Sequence, residues 1–374
     1  MKKQRDSGLE LLKILTMILI VMYHVTLTLS KEPGSIAEYD PNAFINFSGP
    51  FLTVQQVILA CILVAGKLGN SIFFCCSAWF LLDREQKNNQ KNFKLMLDIW
   101  CISVLLLLTF TAFGEKITAY QKISSLLPTF HSNNWYMTSY LMIAFAYPYL
   151  NRLINQMSQK ELLAVSLSMA GLYYVIGSVM TGYCYPVPPL LFLVMYFLIG
   201  YIKRYMQNFS NNRRINIGIV AVFSLIKFGL VVLTSLLNSR GMNLNMKVWD
   251  NSQNILDLII AIGLINIFRN IHFQNKAINW LSGTTFYIYL IHENVLVREY
   301  FRPRVFMYIY GHFGYDSILL WVLLFAGALF VASVFLGWIY RLTIGRAGDW
   351  FLRRVYPGSV KAANGVLNRI MRIS

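Results

Sequence analysis

The first apolar run of the chain, Leu9 to Leu29, carries Glu10, Lys13 and His24. Ionisable side chains inside a membrane span are costly and point to function by default. Lys13 and His24 are eleven residues apart. At ~100° per residue that is three turns and about 20° more, so both face one side of a helix, about 16 Å apart along its axis. Glu10, three residues before Lys13, is within ion-pair reach of it. The helix therefore offers a charged pair near one end and an imidazole deeper in. An imidazole titrates near working pH and serves as a general base or as a nucleophile. A plainer reading stays open: a snorkelling lysine and a histidine bonded to a neighbouring helix.

Other polar groups recur in apolar surroundings. His292 and Glu293 end the run Tyr287-Ile288-Tyr289-Leu290-Ile291. They fit either direct contact with a substrate or interhelical hydrogen bonding. Trp135, Tyr136 and Tyr140 open a further run. They fit an interfacial aromatic belt or a platform on which a sugar stacks. Lys227 and Asp257 lie in separate runs and could pair across helices.

These residues need helices in lipid to hold them. Of 374 residues, 56% are hydrophobic and 13% charged, against about 25% charged in soluble domains. Mean hydropathy is +0.51. The expectation is an all-α polytopic membrane protein with about ten transmembrane helices. They fall near 9–29, 68–82, 95–114, 134–150, 162–180, 188–202, 217–237, 254–268, 279–296 and 317–340, with 51–66 interfacial or a bent extension. The first run is too long for a signal-peptide core and lacks a small-residue cleavage site after it. Both termini are expected in the cytoplasm, because this arrangement puts 23 of the 33 Lys and Arg inside and eight outside. The net charge of +17 then reflects topology and attraction to anionic lipid, not nucleic acid. Arg298, Arg302 and Arg304 run against that trend. They are either contacts for an anionic glycan or plain surface cations. The five cysteines show no metal-ligand spacing, and no metal is expected. Residues 341–374 read as a basic cytoplasmic tail. Its end spaces Val360, Val366, Leu367, Ile370 and Met371 along one side, as in a helix lying on the inner leaflet.

With these residues in place, the chain resembles the acyltransferase 3 family of integral membrane O-acyltransferases. Lys13 and His24 match a basic residue, ten residues and a histidine in the family's first span, and Glu10 fills the usual acidic position. Gly69-Asn70-Ser71-Ile72-Phe73-Phe74 to Ser77-Ala78-Trp79 is similar to its second-span motif. Trp135-Tyr136 to Pro148 and Leu281-Ser282-Gly283 to His292 resemble later ones. The likeness runs from Glu10 to about Tyr340 and makes 1–340 a membrane acyltransferase domain. Three departures stand out. Lys13 replaces the commoner Arg and loses bidentate pairing, Asn70 stands where an acid is common, and Ala78 where Gly is common.

The resemblance implies transfer of an acyl group, usually acetyl, from cytoplasmic acyl-CoA to a hydroxyl of a surface or capsular polysaccharide or its precursor. Acyl-CoA would be a co-substrate, not a tightly bound cofactor. His24 would then be catalytic, as base or as acyl carrier, with Glu10 and Lys13 setting its field or holding CoA. Arg84, Lys87 and Lys91 offer phosphate contacts, with Lys203, Arg204, Arg213 and Arg214 as alternatives. Trp135, Tyr136, Tyr140, His292 and Glu293 are the candidate acceptor contacts. A glycan or lipid-linked sugar transporter is the main rival, although no internal repeat accompanies it. A non-catalytic partner of a polysaccharide synthase is a third reading. Membrane lipid is an expected contact in every case, and the oligomeric state is not readable.

Overall fold

The computed structural model describes residues 6–30, 53–84, 89–130, 134–176, 188–242, 244–251, 253–314 and 316–370. These form an all-helical bundle, with no strand among the described residues. In chain order the helices are α1 (Gly8–Thr26), α2 (Val54–Leu81), α3 (Asn89–Ala112), α4 (Ala119–Leu126) and α5 (Trp135–Gln156). Then come α6 (Gln159–Ala170, running into a π-helical turn Gly171–Ile176), α7 (Pro188–Tyr205), α8 (Gln207–Asn211), α9 (Arg213–Ser239) and α10 (Ile255–Arg269). The last five are α11 (Lys276–Ser282), α12 (Thr285–His292), α13 (Arg302–Phe313), α14 (Ile318–Leu342) and α15 (Ile344–Ile370).

Five of these, α1, α2, α3, α9 and α14, are long and apolar enough to cross a membrane. The other helices near the expected spans are shorter or less apolar. α1 and α2 are the centre, with 67% and 72% of their apolar windows buried, against 22%, 17% and 28% for α3, α9 and α14. The peripheral helices turn large side chains outward, among them Leu108, Leu225 and Val331, while Lys227, Asp257, Glu10 and His292 are inside. Such a surface is stable in hydrocarbon, where buried ionic groups must find partners within the bundle. This is a membrane protein.

Three expectations are corrected. Residues 54–66 extend the span expected at 68–82, because α2 is one continuous helix of 28 residues. Its start is fixed by a capping box in which Thr53 accepts from the Gln56 amide and Gln56 accepts from the Thr53 amide. At 1.5 Å per residue it is about 42 Å long and outreaches a hydrocarbon core of about 30 Å, so it tilts or projects. The span expected at 279–296 is two helices. Thr284 and Thr285 bond back to the carbonyls of Leu281 and Ser282, a local alternative to the helical ladder. The tail helix is longer than expected: α15 begins at Ile344, and its side chains beyond Gly358 lie outside the described residues. It is tied to α3 by Lys94–Asp349 at 3.8 Å and by Phe93 against Tyr356. Its Trp350, Phe351 and Val355 are exposed, which suits a membrane surface.

The packing of α1 positions the chemistry. Its neighbours are α2, α10, α11, α12 and α14. Glycines on α2 allow close approach: a Cβ at Gly66 would meet the Tyr23 ring at 2.0 Å, and one at Gly69 would meet Ile20 at 2.7 Å. The α1 N-terminus is clamped by the loop before α11. The Ser7 amide donates to Phe273 O, the Ser7 hydroxyl to Asn279 Oδ1, and the Asn275 amide to Ser7 Oγ.

Candidate active site

The two ends of the charged stripe on α1 have different surroundings. At the Lys13 end, Glu10 is fully buried; it accepts a hydrogen bond from the Ser282 hydroxyl and pairs with Lys13 at 3.6 Å. The Lys13 ammonium stands 4.8 Å over the Phe80 ring and lines a cavity of about 190 Å³ shared with Ser77, Tyr136, Tyr140 and Ser282. A second cavity of about 540 Å³ is lined by Arg84, Arg152, Asn151 and Asn155. Met137 and Tyr140 of the first cavity and Pro148, Asn151 and Asn155 of the second fall within one sector of α5 at helical spacing. One side of α5 thus runs from one cavity to the other.

At the other end, His24 of α1 meets the C-terminus of α12. His24 Nδ1 is 3.0 Å from His292 Nε2 and 3.3 Å from Glu293 Oε2. The second histidine is fixed by its own backbone, with His292 Nδ1 2.6 Å from Ile288 O. A carbonyl only accepts, so His292 Nδ1 carries the proton and His292 Nε2 is the acceptor. His24 Nδ1–H must then be the donor, which leaves the lone pair on His24 Nε2. Among the described residues no group bonds His24 Nε2. The result is a base whose outward nitrogen is unprotonated and whose inward N–H is oriented, with a carboxylate near enough to stabilise the imidazolium. This is the logic of catalytic triads, with a histidine as orienting partner.

Glu293 is itself held by two guanidiniums, Arg298 at 3.5 Å and Arg302 at 3.3 Å. Arg298 also pairs with Glu299 at 3.2 Å, and Glu299 accepts from Gln121. The arginines are brought there by a π-helical turn, Val297–Phe301. Pro303 follows it and has no N–H to donate to the carbonyl of Glu299, so a regular ladder is interrupted.

His24, His292 and Glu293 also form a set whose ligand atoms lie within 4.8 Å of one another, a spacing that could hold a metal ion. A cation there would break the His24–His292 hydrogen bond and face Arg298 and Arg302.

Of the other expected site residues, Tyr136 and Tyr140 line the smaller cavity, and Trp135 lies beneath the Lys67 ammonium at 5.5 Å. Tyr136 is packed among Phe192, Phe73 and Tyr289. Tyr289 in turn meets His292 edge-on at 5.9 Å, so tyrosines connect the cavity to the histidines. His292 and Glu293, read from sequence as acceptor contacts, have their contacts with His24. Arg84 lines the larger cavity. Lys91 is exposed and lines neither, and Lys87 lies outside the described residues. Lys203 is engaged by Asp83 at 2.6 Å and by Trp79 O, and Arg204 by the carbonyls of Ile154 and Asn155. Arg152 and the Ser282–Glu10 bond were not foreseen as site features.

The site is a buried histidine pair with a carboxylate beside it, inside an apolar-coated bundle. The chain belongs to the acyltransferase 3 family: residues 6–337 match the family's acyltransferase domain. No curated protein and no solved structure matches it. It is a membrane acyltransferase.

Proposed function

We propose that the protein is an O-acyltransferase of the cell membrane, with multiple spans and both termini in the cytoplasm. It moves an acyl group, acetyl in this reading, from cytoplasmic acyl-CoA to a hydroxyl of a surface or capsular polysaccharide or its precursor. The observation that carries this is His24, with Nδ1 committed to His292 and Nε2 unengaged among the described residues. His24 Nε2 takes the proton of the acceptor hydroxyl as its oxygen attacks the thioester carbonyl. The C–S bond then breaks and the CoA thiolate recovers a proton from the imidazolium. In the covalent variant, Nε2 attacks first and the acyl group passes from imidazole to the sugar. The Lys13 cavity and the Arg84–Arg152 cavity suit the CoA side. Cations line both, and CoA carries phosphates that charge-assisted bonds hold well. Thioester and acceptor meet between Lys13 and His24, about 16 Å apart on α1.

His24→Ala is expected to abolish glycan acylation while the protein still accumulates in the membrane. The measurement is NMR of surface glycan from cells expressing each form. Unchanged ester signals in the alanine strain would sink the assignment.

A further inference from the structure

Arg302 carries more hydrogen-bonding capacity than its neighbours use. It is 1% exposed, yet among the described residues neither Nε nor Nη1 has a hydrogen-bond partner. Its Nη2 faces Glu293 at 3.3 Å. Burying a guanidinium with idle donors costs stability, and each such group calls for an explanation. The position supplies one, because Glu293 lies between Arg302 and His24, 3.3 Å from each. Glu293 is already shared with Arg298. Lys67 acts electrostatically on His24 too, and among the described residues it has no carboxylate at ion-pair distance. The one idle acceptor there, Glu293 Oε2, faces His24 Nδ1 and Arg302 Nη2, so among the described residues the Nε and Nη1 donors of Arg302 are left over.

We propose that Arg302 docks an anionic group of the acceptor, a carboxylate or a phosphate, and that the acceptor is therefore an acidic glycan. This rests on the acyl-transfer reading above. The anion sits beside the hydroxyl that His24 deprotonates, which fixes the sugar's register in the site.

The test compares surface glycan from cells with and without the protein by proton, carbon and phosphorus NMR. The extra ester is expected on a sugar that bears, or directly adjoins, a carboxylate or a phosphate, and the phosphorus spectrum tells which. An ester on a neutral sugar with neutral neighbours overturns this proposal and leaves acyl transfer standing. No ester difference overturns the transfer reading and this proposal with it. A second arm uses the full chain in lipid nanodiscs with that glycan, native or with its acid groups reduced or removed. Arg302→Gln should raise the KM for native glycan roughly tenfold, the loss of one charge-assisted bond, with a smaller change in kcat. Arg302→Lys, which keeps the charge, should raise it less and serves if the glutamine variant does not accumulate. The neutralised glycan should react alike with wild type and variant. Equal loss for both glycans would put Arg302 on the reaction's oxyanion or on Glu293 alone and overturn the proposal.

Discussion

His292 matters to His24 as a hydrogen-bond acceptor before it matters as anything else. With its Nδ1–H fixed on Ile288 O, it presents a lone pair 3.0 Å from His24 Nδ1. His292→Ala removes that acceptor and frees the other tautomer of His24, in which Nε2 carries the proton and cannot act as a base. We expect acyl transfer to fall by about 10²-fold or more. His292→Gln, whose amide oxygen can accept the same proton, should recover part of it. Acylation rates at fixed protein level check both, and a glutamine variant no better than alanine would argue against a tautomer-fixing role. The Glu10–Lys13 pair was readable from three-residue spacing. Its partner Ser282 was not, because it lies 272 positions away and only packing brings α11 to α1.

The separation between α1 and α2 is set by two glycines. At Gly66 an added Cβ would land 2.0 Å from the Tyr23 ring, and Tyr23 adjoins His24 and bonds Asp250. Gly66→Ala must move one helix or turn the ring, an overpacking cost of about 1–3 kcal/mol. It is expected to lower the thermal midpoint in detergent and to depress activity beyond the loss of protein, since the ring next to the base is displaced. A variant with unchanged midpoint and activity would show that the interface is looser than drawn. The course of α2 was available in advance. Thr53 and Gln56 spell a capping box, whereas the length of the apolar stretch and the loop charges led to a span that starts only at residue 68. The break at Gly283 was harder to read, since the bonds of Thr284 and Thr285 to Leu281 O and Ser282 O are ones their residue types permit and do not dictate.

Across the bundle, polarity is inverted relative to a soluble protein, and its buried ionic pairs hold helices together. Lys227 on α9 bonds Asp257 on α10 and the Val64 carbonyl on α2. Both side chains of the pair are essentially unexposed. Lys227→Met alone or Asp257→Asn alone leaves one buried charge unmatched and is expected to cost about 3–5 kcal/mol. The double variant Lys227→Met with Asp257→Leu should recover much of that. Thermal unfolding in nanodiscs checks the non-additivity, and additive losses would mean that the pair does not act as a unit.

Composition and charge pattern established an all-helical membrane protein, because a hydrocarbon solvent demands long apolar runs and leaves few places for charge. The same scarcity singled out Glu10, Lys13 and His24, and the local rule of about 3.6 residues per turn put them on one side of α1. Helical periodicity does not reach across the chain. The meeting of His24 with His292 and Glu293, the tautomer that follows, and the arginines behind Glu293 come from the packing of α1 against α12 and from the π turn before Pro303. The His24 contacts join residues more than 260 positions apart, where the relative placement of two helices is fixed by side-chain fit along their whole length and not by spacing in either one.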